Sequence, residues 1–389
     1  MDSIQYIICL NCGSSSLKYA LYRMAPDDET QLAQGAVESI GLDGGRMWIR
    51  SGKRAATFEL KRDVPNHAAA IEAAFQQLDE LRLAQPTAVG HRVVHGGLKH
   101  SKPEKVDQGL IAELRGLVAF APLHLPAEIA GIEAVVSRFP ELPQVACFDT
   151  SFHRQMPELA QRFPLANQYW EEGIRRYGFH GLSFEYILSV LGGTNGRVLI
   201  AHLGSGASMA AICDGRPVDT TMGFTPTGGF MMGTRSGDLD PGVLLYLMNE
   251  KGYTSEQIEC LVDHQAGLLG VSEFSPDMRT LLARQDEDPL AKLAVDMFCY
   301  HVRKHIGAMA ATLGGLDLLV FTGGIGEKGA PVRSAVCRGL AHLGIHLDEG
   351  RNATHSDPIS TPQSICVVRV IPTSEDLIIA RHTFSLLAH

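Results

Sequence analysis

The sequence predicts an α/β protein of two related lobes that face each other across a cleft. A strand, a Gly/Ser turn and a second strand occupy residues 6–22, and the same design returns at residues 198–213. This repeat aligns the turn residue Gly13 with Gly204. Elsewhere apolar runs alternate with helical periods, as in sheets that helices cover on both faces. A length of 389 residues accommodates two such lobes.

The elements follow, in chain order, from the spacing of apolar residues. Continuous apolar runs predict strands at residues 6–10, 17–22, 145–148, 198–201, 208–213, 316–321 and 365–370. Apolar residues at helical spacing predict a helix that starts near Asn66. The buried face of this helix would be Ile71, Phe75, Leu78 and Leu81.

Two later helices complete the organisation. One is marked by the apolar residues Leu293, Met297, Tyr300 and Ile306 and is predicted to end near Gly314–Gly315. The last helix, residues 375–387, is expected to cross back to the first lobe. The first lobe would then comprise residues 1–150 and 377–389, and the second would comprise residues 151–376.

Composition excludes several functional classes. The net charge of −9 disfavours nucleic-acid binding, which depends on the neutralisation of phosphates by basic residues. The longest stretch without a charged residue, residues 198–213, contains His202 and a Gly/Ser turn, so no membrane span is predicted. The eight cysteines are scattered through a chain of ordinary composition, which favours reduced thiols and a cytoplasmic location.

Three Gly-rich turns that follow strands predict a phosphate site. They are residues 11–18, 202–206 and 322–328. Glycine lets backbone N–H groups approach an anion closely, and Lys18 adds a point charge. The pattern GxGxxG at residues 324–329 lies too near the C-terminus for a complete dinucleotide-binding domain. Together the turns favour a polyphosphate held between the lobes.

Four polar residues complete the candidate site. Arg92 and Arg235 stand beside glycines, and arginine binds carboxylate and phosphate through paired hydrogen bonds. Asp149 ends an apolar strand and His180 follows Gly178–Phe179. Ends of strands are where open α/β sheets place their sites.

The chain resembles the acetate kinase family over residues 7–381. The matching segments include NCGSSSLKYALY, GHRVVHGG, APLHLPA, FDTSFHRQMP, YGFHG, HLGSGAS, MMGTRSGDLDPG, FTGGIGE and IPTSEDLIIAR. The resemblance implies two actin-like (ribonuclease H-like) lobes, of the superfamily that includes sugar kinases and Hsp70 ATPases. It also implies reversible phosphoryl transfer from ATP to acetate, giving ADP and acetyl phosphate, and a homodimer.

The family's functional residues carry over by position. Asn11 and Glu375 would hold Mg²⁺, with Mn²⁺ as an alternative, and Lys18 would assist with the nucleotide phosphates. Arg92 would bind the substrate carboxylate, and His124 would support the site. The pocket for the methyl group would be Val94, Leu123, Phe179 and Pro226.

The resemblance assigns catalysis and nucleotide binding mainly to the second lobe. Arg235 and His180 would stabilise the charge on the transferred phosphoryl group, while Asp149 is the family's catalytic acid. The implied contacts to ATP are His202, Leu203, Gly204, Ser205, Gly206, Asp277, Met278, Arg279, Gly324, Ile325, Gly326, Glu327 and Lys328. The second lobe would also carry the dimer interface.

Physical chemistry qualifies the role of Asp149. A short carboxylic acid has a pKa of about 4.3, so it is ionised at neutral pH and needs no general base. We therefore expect Asp149 to orient a ligand, either an arginine or Mg²⁺. We also expect direct transfer rather than a phosphoenzyme on Glu375, because Glu375 would be occupied by the metal.

The chain departs from the family pattern near the nucleotide. Ser205 and Lys328 stand where the family has asparagines, and so does Leu125 in the PLH segment. These changes leave open a different phosphoryl donor. Val94 favours the two-carbon acid, with a propionate or butyrate kinase as the alternative. A further alternative from another class is an actin-like ATPase that acts by conformational change.

Overall fold

The computed structural model describes residues 4–52, 56–61, 63–193 and 196–388. Residues 1–3 and 389, which the predicted lobe boundaries include, lie outside this set. The chain divides into two compact units. The first runs up to Phe152 and resumes at Ser374, and the second is His153–Thr373. Each unit has its own β-sheet.

Eight strands form the sheet of the first unit. They are β1 (Gln5–Gly13), β2 (Ser16–Ala25), β3 (Asp28–Glu38), β4 (Arg46–Ser51), β5 (Ala56–Lys61), β6 (Ala88–Val93), β7 (Glu104–Lys105) and β8 (Gln144–Phe148). Their order is β5-β4-β3-β2-β1-β6-β8-β7. Strand β1 is antiparallel to β2 and parallel to β6, and β6 is parallel to β8.

Helices cover this sheet because its central strands are apolar on both faces. Ile7, Ile8 and Leu10 of β1 are all buried. The helices of the first unit are α1 (His67–Glu80), α2 (Gln108–Gly116), α3 (Leu125–Arg138) and the C-terminal helix (Glu375–Leu387). The C-terminal helix packs against β1, β2, β6 and β8. Short 3₁₀ helices occur at Val118–Phe120 and Ser151–Gln155.

Helix α1 begins where the sequence predicts it. The side chain of Asn66 accepts a hydrogen bond from the Ala69 N–H, which satisfies one of the free donors at the helix start. Ile71 and Phe75 are buried as expected. Leu81 lies just beyond the last helical residue, as the C-cap.

Five strands form the sheet of the second unit. They are β9 (Arg197–Leu203), β10 (Ala207–Cys213), β11 (Arg216–Thr220), β12 (Leu318–Thr322) and β13 (Val367–Val370), in the order β11-β10-β9-β12-β13. This order repeats that of β3-β2-β1-β6-β8 in the first unit, with the same antiparallel hairpins and the same parallel central pairs. The predicted α/β class and the duplication are therefore confirmed.

Among its described residues, the second unit has eleven helices, and the C-terminal helix Glu375–Leu387 of the first unit is α15. The helices of the second unit are α4 (Glu158–Gln161), α5 (Asn167–Glu171), α6 (Gly181–Val190), α7 (Pro241–Lys251), α8 (Ser255–His264), α9 (Gly267–Ser272), α10 (Met278–Arg284), α11 (Pro289–Leu313), α12 (Gly323–Lys328), α13 (Ala330–Cys337) and α14 (Glu349–Ala353). A 3₁₀ helix covers Ala341–Leu343. No helix among the described ranges is both long and apolar enough to cross a membrane.

One sequence-based expectation in this unit is confirmed and one is wrong. Helix α11 ends at Leu313, just before Gly314, as predicted, although Leu293 and Tyr300, which marked it, are 48% and 60% exposed. Its buried stripe includes Ala294, Phe298, Val302 and Ile306. Several faces of this helix carry apolar side chains, so spacing alone does not select the buried face. The third Gly-rich segment is not a turn, since residues 323–328 form helix α12 directly after β12.

Candidate active site

In the first unit, Arg92 and Asp149 meet at the ends of two neighbouring parallel strands. Arg92 lies near the end of β6, and Asp149 directly follows β8. Arg92 Nη2 donates a hydrogen bond to Asp149 Oδ2, and the Asp149 side chain is fully buried. The Asp149 N–H donates to the Val93 carbonyl at 2.9 Å, which fixes this carboxylate to the strand beside it.

The same guanidinium contacts both residues predicted to bind metal. Arg92 Nη1 donates to Asn11 Oδ1 at 3.3 Å, and Arg92 Nε lies 3.8 Å from Glu375 Oε2. The structure thus brings together Arg92, Asp149, Asn11 and Glu375. Among the described residues, the buried Arg92 Nε has no hydrogen-bond partner.

Arg92 is held firmly in its charged form. Burial by itself lowers the pKa of an arginine. Here the carboxylates of Asp149 and Glu375, joined by Glu128 once it ionises, outweigh burial and raise the pKa of Arg92 above its ordinary value. A permanently charged guanidinium, 14% exposed, suits the recognition of a small carboxylate.

Asn11 and Glu375 offer an amide oxygen and a carboxylate, which are ligands that Mg²⁺ accepts. Magnesium sites in phosphoryl-transfer enzymes commonly use one or two such side chains, with water and substrate phosphates filling the other positions. Within the described ranges, no group of three or more His, Cys, Asp or Glu side chains is placed to hold a metal. Asn11 and Glu375 would thus supply two ligands, and water or phosphate oxygens would have to fill the remaining positions.

Lys18 lies beside this cluster. It is paired with Asn11 across the β1–β2 hairpin, and its side chain is exposed. Burial and the charge of Glu375 raise the pKa of Asp376 to about 6, while Lys18 and Arg92 act in the opposite direction. Lys18 thus adds positive charge to the part of the first unit that holds Asn11 and Glu375.

In the second unit, His180 is held by a serine and a second histidine. His180 caps the start of α6 with a left-handed backbone (φ 57°). Its Nδ1 is hydrogen-bonded to Ser208 Oγ at 2.8 Å, and its ring stacks on His202 with 4.4 Å between ring centroids. His202 Nδ1 is in turn hydrogen-bonded to Ser183 Oγ at 2.8 Å. These contacts fix the orientation of both rings.

Gly206 lies against Arg235 and His180. A Cβ atom on Gly206 would be 3.4 Å from both Arg235 Nη1 and His180 Nε2, so the three predicted residues adjoin. Arg235 Nη1 also donates to the Pro226 carbonyl at 3.3 Å. The absence of a side chain at Gly206 leaves room for an anion to approach both Arg235 Nη1 and His180 Nε2.

Helix α12 packs against strand β9, whose last residue Leu203 precedes the turn at residues 204–206. Gly323 has a left-handed backbone (φ 75°), and a Cβ there would lie 2.8 Å from the Leu203 carbonyl oxygen. The Glu327 carboxylate accepts hydrogen bonds from the Gly323 and Thr373 N–H groups, both at 3.1 Å. Gly324 and Lys328 are exposed, Gly326 is buried and Ile325 is half-buried.

The segment from Asp277 to Arg279 begins next to Gly233, which lies close to Pro276. A Cβ on Gly233 would approach the carbonyl oxygens of Ser205 at 3.3 Å and Pro276 at 3.4 Å. Asp277 caps α10 by accepting from the Arg279 N–H, and Met278 is buried. Arg279 is largely exposed, as is Ser205. These nucleotide contacts stay a prediction.

The predicted residues of the methyl pocket are divided between the two units. Val94 is buried after β6, and Leu123 is half-buried in the turn before α3. Phe179 and Pro226 are buried in the second unit, where the Phe179 carbonyl bonds to His153 Nε2 at 3.0 Å. The methyl pocket stays a prediction.

Sequence reasoning missed the residues that support the site. Arg333 is fully buried and donates to the carbonyls of Gly326 and Glu327 in α12, at 2.7 and 2.9 Å, and to Asn352. The only signal was an arginine inside the apolar run of α13, which spacing alone reads as a solvent-facing position. Ser208 lies in strand β10, and nothing in the sequence around it indicates a functional residue.

The sequence of this chain matches known proteins over nearly its whole length. Residues 6–381 match the model of the Acetokinase family. The acetate kinase of Rhodopseudomonas palustris is 45% identical over 394 residues, which cover 98% of each chain. The acetate kinase of Nitrobacter hamburgensis is 45% identical over 400 residues, covering 100% of this chain and 96% of that one.

Two solved structures are similar to this structure over nearly the whole chain. Porphyromonas gingivalis acetate kinase is 38% identical with a TM-score of 0.88, covering 98% of this chain and 100% of that one. A propionate kinase from Francisella tularensis is 36% identical with a TM-score of 0.92, covering 98% and 99%. The actin-like fold class predicted from the sequence is confirmed.

Proposed function

The chain belongs to the acetokinase family and is a phosphotransferase that acts on acetate, and we propose that it works by direct in-line transfer. The terminal phosphoryl group of ATP passes to a carboxylate oxygen of acetate, giving acetyl phosphate and ADP, and the reaction is reversible. The observation that carries the proposal is the contact of Arg92 with Asp149, Asn11 and Glu375.

The first unit binds and orients the acid. Acetate is ionised at neutral pH, so its nucleophilic oxygen needs no proton removed. Arg92 pairs with this carboxylate, and Asp149 holds the guanidinium in place. The role of Asp149 is therefore to position Arg92 rather than to accept a proton, and the contact of Val94 with the methyl group favours the two-carbon acid.

Asn11 and Glu375 would hold Mg²⁺, with Mn²⁺ as a substitute. When bound, the ion would neutralise the charge of the nucleotide phosphates. With Glu375 engaged in this way, its carboxylate is a poor acceptor for a covalent phosphoryl group. Lys18 adds a further positive charge toward the phosphates.

The second unit stabilises the phosphoryl group during transfer. Arg235 and the Nε2 edge of His180 adjoin at Gly206, where both can donate hydrogen bonds to equatorial oxygens. Ser208 sets the direction in which the His180 ring points. The turn at residues 202–206 and helix α12 would supply backbone contacts to ATP, together with Asp277, Met278 and Arg279.

An exposed apolar face supports a homodimer. None of the eleven described residues of α7 is buried. Large apolar side chains are exposed on α7 and just before it, and we call them the α7 face: Leu239, Val243, Leu245, Tyr246 and Met248. Contiguous exposed apolar surface of this kind marks a protein interface. We propose that the α7 face meets a second copy of this chain.

A cytoplasmic location is consistent with the cysteines. None of the eight, all of which lie within the described residues, forms a disulfide, and six of them are buried. Reduced thiols are typical of proteins that stay in the reducing cytosol.

Two variations on the reaction have specific support. A propionate kinase is among the similar structures, at 36% identity, which favours propionate as a second acid. Ser205 and Lys328 are both exposed at segments proposed to contact ATP, which favours a test of other phosphoryl donors.

The experiment is acyl-hydroxamate formation with Mg-ATP and acetate, propionate or butyrate. We expect product with acetate, its loss in Arg92→Ala, and its retention in Arg115→Ala, which removes a surface arginine of the same unit. Hydrolysis of ATP without product from any acid would overturn the proposal in favour of an ATPase. If the enzyme is inactive with ATP, pyrophosphate and other nucleotides replace it as donors.

A further inference from the structure

We propose that Glu128, buried behind Arg92, is a positioning residue of the acid site that fixes Val94 and sets the affinity for the carboxylate substrate. The inference rests on the proposed function of this site. Glu128 lies in the first turn of α3, just after the PLH segment, and its side chain is 2% exposed.

The geometry ties Glu128 to the backbone of the acid site. Glu128 Oε2 accepts a hydrogen bond from the Val94 N–H at 2.9 Å. Val94 is the first residue after β6, two positions beyond Arg92. Because the strand has ended, no ladder partner holds this N–H, and Glu128 takes that place. Among the residues that the structure describes, Glu128 Oε1 is buried without a hydrogen-bond partner.

Several titratable groups lie near this carboxyl. Arg92 on β6 and Asp149 after β8 both interact with it electrostatically, and Glu128 in turn raises the pKa of the Cys12 thiol on β1. Helices α1 and α2 also pack on α3, but their Glu72 and Arg115 pair with exposed residues of α3 away from Glu128. Arg92 and Asp149 are therefore the charges that matter most to Glu128.

The single positive charge of Arg92 does not balance the three negative charges that Asp149, Glu375 and Glu128 would carry if all were ionised. Asp149 has the direct hydrogen bond to Arg92, and Glu375 is more exposed than Glu128. Glu128, with one backbone donor, is the member of the cluster best able to keep its proton. Burial raises the pKa of Glu128 to about 8, despite the opposing effects of Arg92 and the Val94 N–H. At neutral pH Glu128 is a neutral acid that supports Val94 without competing for Arg92.

This role predicts a selective effect on the acid. Removing the carboxyl leaves the Val94 N–H unpaired next to the methyl pocket, and Val94 is then free to shift. Ionising the carboxyl instead adds a negative charge that repels the incoming carboxylate. Both changes raise the KM for acetate, and neither touches the groups proposed to bind ATP.

The test compares Glu128→Leu and Glu128→Gln with Glu133→Gln, a control on the exposed face of α3. We expect Glu128→Leu to raise the KM for acetate about tenfold, with the KM for ATP within about twofold of wild type. Glu128→Gln is neutral and still accepts from Val94, so its KM for acetate at pH 7 stays within about threefold of wild type.

A pH series supplies a second measurement that needs no destabilising variant. The wild-type KM for acetate should rise as the pH passes about 8, while Glu128→Gln stays flat over the same range. An unchanged KM in a folded Glu128→Leu would overturn the proposal. So would an equal rise of both KM values, or equal pH profiles of wild type and Glu128→Gln.

Failure of the proposed function would look different. In that case the wild-type enzyme makes no acyl phosphate from any acid, whatever residue is at position 128. Acetate binding to wild type and Glu128→Leu, followed by calorimetry, then replaces the KM as the readout. Equal dissociation constants in that measurement would also overturn the role of Glu128.

Discussion

Arg92 donates a hydrogen bond to the fully buried carboxylate of Asp149, and the two residues come from neighbouring parallel strands. The strand register places Arg92 opposite Cys147, so Asp149 follows two residues later at the same sheet edge. A buried carboxylate that lies next to a permanent cation is stabilised in its charged form. The pair thus holds the guanidinium in one orientation.

Replacing Asp149 by Asn tests whether this orientation matters. Asn fills the same space but removes the charge, so we expect kcat/KM for acetate to fall about 10²–10³-fold, or about 3–4 kcal/mol. Steady-state kinetics measures the change. Asp79→Asn, at an exposed position of α1, is the control. If Asp149 removed a proton, the acidic limb of the pH profile would disappear in Asp149→Asn. We expect that limb to persist.

Ser208 holds the ring of His180. We expect Ser208→Ala to lower kcat about tenfold and His180→Ala about 10²-fold, because one change misdirects the donor and the other deletes it. The double variant should be no slower than His180→Ala alone, since Ser208 acts through that ring. Ser189→Ala, at an exposed position of α6, is the control. Independent, multiplying effects would contradict this positioning role.

The buried side chain of Arg333 supports helix α12, which we propose contacts ATP. Arg333→Met leaves the carbonyls of Gly326 and Glu327 unpaired, so we expect a loss of about 2–4 kcal/mol in the free energy of unfolding. The KM for ATP should rise severalfold while the KM for acetate changes little. Denaturant unfolding and kinetics on the same samples measure both effects, with exposed Arg338→Met as the control. Wild-type stability in Arg333→Met would refute the structural role.

The α7 face predicts the assembly state. Leu245→Asp places a charge in the centre of an apolar interface, so we expect a dimeric wild type to become monomeric. Light scattering coupled to size exclusion measures the mass. Val190→Asp, at an exposed apolar position of α6, should leave the dimer intact. A monomeric wild type, or a dimeric Leu245→Asp, would show that the α7 face is not the interface.

Sequence patterns were sufficient for the strands and the duplication, because central strands of a covered sheet are continuous apolar runs. They also located Arg92 and Asp149, which stand where such strands end. They did not select the buried stripe of α11, since several faces of that helix carry apolar residues. Glu128 and Arg333 were missed for a related reason. A charged residue in a helix is ordinarily on the solvent face, and only the fold shows that these two are buried.

The backbone of His180 has a consequence for the stability of the whole chain. A histidine in the left-handed region is less stable there than glycine, by about 1 kcal/mol. Substitution by glycine relieves this cost but removes the contacts of the ring with Ser208 and His202, so the melting temperature should change little while activity is lost. The contacts that orient the ring for chemistry thus also compensate the chain for the backbone conformation beneath it.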